Sequence, residues 1–562
     1  MVKPTLLIAT LLTSVLAGVH NIFPKPTELV SSGNTTVVIS NDFQVSISAK
    51  SRRLKKAGER YEKLIQKEHY APIVPLFKAA PSGYPTVLKS VKVEVEDGED
   101  CDLTIKTDES YSIEITDKAT ATIKAKTIYG AMHGLESFSQ LVQYDKKSKT
   151  SHIPATPLKV NDKPLYPHRG ILIDTNRNWM PVETLKRTID AMSYNKLNVF
   201  HWHILDAHDF NFKSKSHPEL WKAMDIVEED QLYTYDIIKD LVEYGLERGV
   251  RIIPEVEAPA HAYTLGKAFP EIATSLDMDE WDVYAAEPPS GQIDPTNPKS
   301  HKIVADLIDE FVQLFPDQYI HLSGDEVNNN AWNNSATIRE YIAKHNVTFD
   351  KLLGDFNLGM QAQAKKHNKS VMVWEEILLN HNVTLPSDAL VQVWLGASDT
   401  KKVIQRGHDV IASSYQYWYL DCGHGAWIGD APSGSSWCDP YKHWQIVYTY
   451  DLIANLTATE AKKVKGGEVT AWSEQIDAQV IDKYLWPRAS AASEVLWSGN
   501  RDDGKVRSTK HVLPRLNDWR FRLVNRGIGA EPLQPLWCVK NPYRCDSTTN
   551  IANVRVPYVP KQ

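Results

Sequence analysis

Eight short apolar runs, regularly spaced between residues 170 and 472 and separated by amphipathic helices, limit the folds open to this chain more than any other feature. They occupy 170–174, 197–205, 250–256, 319–323, 370–375, 390–395, 409–413 and 468–472. The clearest intervening helices are predicted over 182–194, 234–247, 299–314 and 349–365. A run that is apolar on both faces belongs in a parallel sheet covered on both sides, and parallel neighbours need a crossover that is usually helical. Eight such units imply a (β/α)8 barrel. A doubly wound open sheet would usually have fewer strands and often a Gly-rich phosphate loop, which the sequence lacks.

The rest of the chain is organised around that barrel. Residues 22–160 read as α+β, with alternating strands over 36–39, 43–48, 91–95 and 111–116, a charged helix over 52–66 and a second helix over 128–142. No constellation of catalytic side chains stands out there. Pro164 and Pro167 mark a boundary, and a helix pair near 483–496 and 512–525 follows the eighth strand. The expected organisation is an α+β domain over 18–163, the barrel over 164–500, and a helical extension over 501–562 with a disulfide-closed tail.

Residues 1–17 read as a secretory signal peptide. Lys3 precedes an apolar stretch over 6–17, too short to span a bilayer about 30 Å thick, and Val15 and Ala17 stand where small residues precede a cleavage site. Six Asn-X-Ser/Thr sequons, at Asn34, Asn333, Asn346, Asn368, Asn382 and Asn455, agree with passage through a glycosylating compartment and a secreted product. Of five cysteines, Cys538 and Cys545 can close a small loop, and Cys422 and Cys438 bracket a Gly/Ser/Trp-rich segment that needs a staple. Cys101 is left over and is expected to be buried. With 63 Lys+Arg against 70 Asp+Glu and no long basic block, nothing favours nucleic-acid binding. No other segment is long and apolar enough to suggest a membrane span.

Active sites of such barrels lie at the C-terminal ends of the strands. Here those ends carry Asp174 and Arg177, then Asp206, Glu255 and Glu257, and Asp325 and Glu326; Trp374 and Glu375, Trp394, Tyr419 and Asp421, and Trp472 and Glu474 follow. Carboxylates interleaved with indoles suit a neutral sugar ring, whose C–H patches pack on aromatic faces while its hydroxyls take polar partners. The strongest local signal is His321-Leu322-Ser323-Gly324-Asp325-Glu326-Val327, where a Gly after a buried strand lets both carboxylates project into one pocket. Adjacent carboxylates also raise one pKa, which is expected to keep a Glu protonated as an acid.

Taken with HLSGDEV, the stretches LIDTNRN around Arg177, KLNVFHWHILD ending at Asp206, EVEAPAHAYTLG around His261, VMVWEE at Trp374, WYLD at Tyr419, GGEVTAWSEQID at Trp472 and WPRASAASEVLWS resemble family 20 of the glycoside hydrolases, the β-N-acetylhexosaminidases. The resemblance runs from about 22 to 530, in family order, and is greatest to secreted fungal members. It implies exo-hydrolysis of terminal N-acetylhexosamine from β-linked oligosaccharides, with no cofactor or metal, by attack of the substrate's own acetamide. Asp325 would hold the acetamide N–H and Glu326 would act as acid, then base. Trp374, Trp394 and Trp472 would wall the acetamide methyl, and Tyr419 would donate to its oxygen. Arg177, Asp421 and Glu474 would bind hydroxyls, while Asp206 and His261 would tune the acid. Relatives are often homodimers. Two alternatives remain: a metal-dependent hydrolase, prompted by His201 and His203 on one strand face with His261 and His321 as further ligands, and a non-catalytic sugar-binding barrel.

Overall fold

The computed structural model describes residues 20–74, 86–224, 228–502 and 504–546; the expected signal peptide lies outside them. Two compact units emerge. One comprises the described residues up to Asp100 together with Asp108–Lys163; the other comprises Cys101–Thr107 and everything from Pro164 onward.

The first unit is a six-stranded sheet with helices Arg52–Lys67 and Ile128–Leu141. The two strands read over 36–39 and 43–48 form one long strand, Glu28–Ile47, whose register shifts between Ile39 and Gln44. Strand Thr150–Asp162 pairs with three others, although two prolines and scattered polar residues make its sequence read as loop. Helix Ile128–Leu141 is buried along its whole length, its polar residues being paired, as His133 is with Glu109 and Gln140 with Glu136.

The second unit is a closed parallel barrel. Its strands are β1 (His168–Asp174), β2 (Val199–His203), β3 (Arg251–Glu255), β4 (Tyr319–His321), β5 (Ser370–Trp374), β6 (Leu390–Val393), β7 (Asp409–Ala412) and β8 (Val464–Ala471). β8 pairs with β1, and β3 reaches β4 through Glu255 and His321. Each matches one of the eight apolar runs, and nearly every strand residue is buried. The segment Cys101–Thr107 belongs to this unit: Ile105 packs on an interior cluster of Val199, Ile253, Tyr319, Met372, Leu390 and Ile411. After the barrel, the helix read over 483–496 is two helices, Ile481–Leu485 and Arg488–Ser498, interrupted at Pro487, whose ring and missing N–H cannot continue the ladder. Helix Thr509–Asn525 follows.

Disulfides join Cys422 to Cys438 and Cys538 to Cys545. Cys101 is in neither and is half-buried rather than buried. All six sequon asparagines are exposed, and Asn346, Asn368, Asn382 and Asn455 have positive φ, as asparagine tolerates at turns. Among the described residues no helix is long and apolar enough to cross a membrane.

Candidate active site

Between the apolar cluster and the open end of the barrel lies a layer of ionisable groups. Glu468 on β8 receives His168 Nε2 at 2.6 Å and His201 Nδ1 at 2.9 Å, and Gln392 donates to it at 3.0 Å. Gly170 makes room for this carboxylate, since a Cβ there would lie 2.5 Å from Glu468 Cγ. Glu255 on β3 takes His203 Nδ1 at 2.5 Å and the Trp374 indole N–H at 2.8 Å, and lies 3.0 Å from His321 Nδ1. The histidines that suggest a metal-dependent hydrolase are thus engaged with carboxylates. Burial alone would raise Glu468 and Glu255, but the adjacent imidazoles outweigh it and hold both below the usual carboxylate range.

Above this layer is a pocket of about 360 Å³. It is lined by all eleven side chains singled out for catalysis or substrate binding: Arg177, Asp206, His261, Asp325, Glu326, Trp374, Trp394, Tyr419, Asp421, Trp472 and Glu474. Asp174, Glu255 and Glu375 stand at strand ends but turn elsewhere: Asp174 accepts the backbone N–H groups of Asn176 and Ser473, and Glu375 those of Trp394 and Leu395. A larger hollow, about 560 Å³, lies on the first unit, with Glu28, Glu94, Lys124 and Lys126 in its lining and no indole.

The turn after β4 delivers the paired carboxylates. Ser323, Gly324 and Glu326 all have positive φ, at 47°, 98° and 54°. At Gly324 a side chain is excluded, because a Cβ would lie 2.3 Å from Ile377 Cγ1. Ser323 and Glu326 hold a conformation unfavourable for non-glycine residues, a strain found typically at functional turns. The Ser323 hydroxyl lies 2.7 Å from Asp325 Oδ1 and 2.5 Å from Glu257 Oε2.

The carboxyl of this turn whose pKa is raised is Asp325. Burial, with Glu255 and Glu326 nearby, lifts Asp325 to about 6 against the opposing pull of His261. The side chain of Glu326 keeps a third of its surface in solvent, whereas Asp325 is 9% exposed. Glu326 Oε2 is 3.0 Å from His261 Nε2, and His261 Nδ1 is 3.6 Å from Asp206 Oδ1. Burial disfavours a charged imidazole, but Asp206, Glu326 and Glu257 overcome it and raise His261 well above its ordinary value.

Aromatic rings close the pocket. Trp374 and Trp472 have centroids 6.2 Å apart, and Trp394 stacks on Tyr419 at 5.9 Å. The Trp394 indole is fixed by Glu376, which accepts its N–H at 2.9 Å and which burial and nearby Asp325 raise to about 8. The Cys422–Cys438 disulfide packs in the same cluster. At the opposite wall Arg177 lies over Trp472 and pairs with Asp206 at 2.9 Å and Glu287 at 2.7 Å. Asp421 is lifted to about 7 and Glu474 well above its ordinary value, burial being the main cause of each.

Sequence reasoning missed several pocket residues. His203, which its strand-face pairing with His201 suggests only as a metal ligand, lines the pocket and donates to Asp206 at 2.8 Å. Glu287 comes from a Pro-rich loop without periodicity, and its only signal is position after the third strand. Trp427, Ile428 and Trp437 line the mouth and are 38%, 41% and 63% exposed. Their presence in a Cys-bounded loop was the available hint.

The comparisons agree with this geometry. Residues 166–500 match the catalytic domain of glycosyl hydrolase family 20, and residues 22–141 match a domain described as β-acetyl hexosaminidase like. A probable β-hexosaminidase of Arthroderma benhamiae is 36% identical over 83% of this chain and 80% of its own. The chitooligosaccharidolytic β-N-acetylglucosaminidase of Ostrinia furnacalis is 34% identical over 94% and 89%. The solved chitobiase of Flavobacterium johnsoniae superposes with a TM-score of 0.74 at 28% identity, covering 91% of this chain and 73% of that one. The chain belongs to glycosyl hydrolase family 20, as a β-hexosaminidase.

Proposed function

We propose that the protein is an exo-acting enzyme that removes terminal non-reducing N-acetylglucosamine or N-acetylgalactosamine from β-linked oligosaccharides such as chitobiose, with retention and through an oxazolinium intermediate. The observation that carries this reading is the adjacency of Asp325 and Glu326 to a box of three indoles and Tyr419. Its volume is at the small end for ligand pockets, as a site for a single terminal sugar requires. The names of the Ostrinia and Flavobacterium relatives support a chito-oligosaccharide substrate.

The chemistry divides among these residues. The acetamide oxygen attacks the anomeric carbon as the glycosidic C–O bond breaks, and Glu326 gives its proton to the departing oxygen. Holding the acetamide between indoles makes this attack intramolecular and already oriented, the largest entropic advantage open to the site. Asp325 accepts the acetamide N–H and offsets the positive charge that develops on the ring. Water then attacks the anomeric carbon, Glu326 removes its proton, and the acetamide C–O bond reopens. Two inversions give retention. His261, 3.0 Å behind Glu326 and backed by Asp206, tunes the acidity of Glu326. Arg177, Asp421 and Glu474 take sugar hydroxyls. The six exposed sequons and two disulfides support the reading of a secreted glycoprotein.

The test is to compare initial rates on a chromogenic β-N-acetylglucosaminide and the matching β-glucoside, before and after chelation. Turnover of the acetamido sugar alone, undiminished by chelator, is expected. A better rate on the glucoside would overturn the acetamide mechanism, loss on chelation would restore the metal-dependent alternative, and no turnover would favour a non-catalytic barrel.

A further inference from the structure

One hydroxyl stands between two carboxyl groups beneath the pocket. Ser323 Oγ lies within hydrogen-bond distance of both Glu257 Oε2, at 2.5 Å, and Asp325 Oδ1, at 2.7 Å. A serine hydroxyl has one proton to give and lone pairs with which to accept. Were both carboxyls ionised, one of these contacts would press two oxygens together with no hydrogen between them. The three groups therefore share a second proton, which one of the carboxyls must carry.

We propose that Glu257 is a positioning residue for the reaction: as a neutral acid it donates to Ser323, which in turn donates to Asp325 and holds that carboxylate ionised and aimed at the acetamide N–H. The proposal rests on the acetamide reading above. Three observations place the proton on Glu257. Its Oε1 is buried with no hydrogen-bond partner among the described residues, an arrangement far costlier for an anion than for a neutral acid. Asp325 faces the pocket, where an acetamide N–H is available to it, whereas Glu257 does not line the pocket. Burial, followed by the charge of Asp325, also raises Glu257 well above the carboxylate range, whereas Asp325 reaches only about 6.

The two carboxyls share His261 and Glu255 as charged or titratable neighbours. Glu257 faces Asp325, His261, Glu255 and His203. Asp325 faces His261, Glu255, Glu326, Glu376 and Tyr419. Among the described residues it is the Ser323 hydroxyl that bonds both carboxyls. Donation from Ser323 favours the anion of Asp325, so its loss raises the pKa of Asp325 and moves the acidic limb of kcat/KM to higher pH.

The experiment measures kcat, KM and the pH profile of kcat/KM on a chromogenic β-N-acetylglucosaminide for the full chain and four variants, with thermal melting to confirm folding. Ser323→Ala, which deletes one oxygen, and Glu257→Leu are each expected to lose about tenfold in kcat, the scale of one hydrogen bond to a charged group. Both should move the acidic limb upward by roughly half to one pH unit. Glu257→Gln keeps a donor toward Ser323 and should recover most of the loss, with the limb at its wild-type position. If the limb of Glu257→Gln instead moves to lower pH, Glu257 was an anion beside Asp325 and the proposal is overturned. It is equally overturned if Gln is no better than Leu, or if folded Ser323→Ala shows no shift. Asp325→Asn separates the two levels: full activity in that variant would sink the acetamide reading itself, whereas a large loss there with no limb shift in Ser323→Ala sinks only the relay.

Discussion

Two sets of buried carboxylates sit one above the other in the barrel and behave oppositely. In the interior layer Glu468 and Glu255 are held below the ordinary range, because His168, His201, His203 and His321 lie against them. Around the pocket Asp325, Asp421 and Glu474, and Glu376 behind Trp394, are raised, although they are no more buried; Asp206, beside Arg177, His261 and His203, is lowered. Burial alone does not decide the charge of a carboxyl; the presence of a cation at contact distance does. In the interior layer each carboxylate already has imidazoles at contact distance in the free protein. In the pocket, carboxyls outnumber cations, and donors from a sugar can complete what the protein leaves unpaired.

The comparison can be broken most sharply at Glu326. Glu326→Gln should lose roughly 10²- to 10⁴-fold in kcat, the usual scale for removing an acid/base group, while KM changes little; steady-state kinetics on a chromogenic acetamido substrate measures both. In the interior layer the loss should be of stability. Glu468→Leu strips His168 and His201 of their shared partner and should cost about 3–5 kcal/mol, read by denaturant unfolding. Asp421→Asn, in the pocket, should change stability by less than about 1 kcal/mol while raising KM. If Asp421→Asn destabilised as much as Glu468→Leu, the distinction between the two layers would fail.

The sign of the pH dependence sharpens the same contrast. Asp421 rises on folding from the ordinary carboxylate range to about 7, so its contribution is full below about pH 4 and is lost as pH climbs through 7. Glu468 and Glu255 are depressed, so theirs is present above about pH 4 and is lost only as pH falls through their lower folded values. Melting temperatures from pH 5 to 8 should therefore decline less in Asp421→Asn than in wild type. A parallel decline in both would remove Asp421 as a contributor.

The smallest expected effect is at the mouth. Trp437 meets Trp394 edge-on at 5.7 Å and is held beside the Cys422–Cys438 disulfide. Trp437→Ala should raise KM for chito-oligosaccharides several-fold, on the scale of one lost sugar–aromatic contact of about 1 kcal/mol, with little effect on a small aryl glycoside. Equal effects on both substrates would place Trp437 outside the leaving-group region.

The legibility of the sequence follows the same physical divide. All eight barrel strands were readable, because strands buried on both faces must be apolar throughout, and Val182–Tyr194 was readable from its amphipathic period. Thr150–Asp162 was not, since a strand carrying Pro154 and Pro157 has no period-two signal. The pocket residues were legible because strand ends place them and ordered stretches identify them. Glu287, Trp427 and Trp437 were not, because loops carry no periodicity from which position can be inferred. The relation among Glu257, Ser323 and Asp325 was invisible for another reason: it depends on a backbone turn at positive φ that folds a hydroxyl back between two carboxyls.

The proposed mechanism requires the pocket to stabilise a cyclic, positively charged acetamide intermediate. Its most direct test is inhibition by a sugar-fused thiazoline, which has the shape of the oxazolinium ion but does not react onward, compared with N-acetylglucosamine in the same assay. The thiazoline should bind at least about 100-fold more tightly, the lower bound typical of transition-state mimics, and should lose that advantage in Asp325→Asn. Equal inhibition by the thiazoline and the plain sugar would contradict the account.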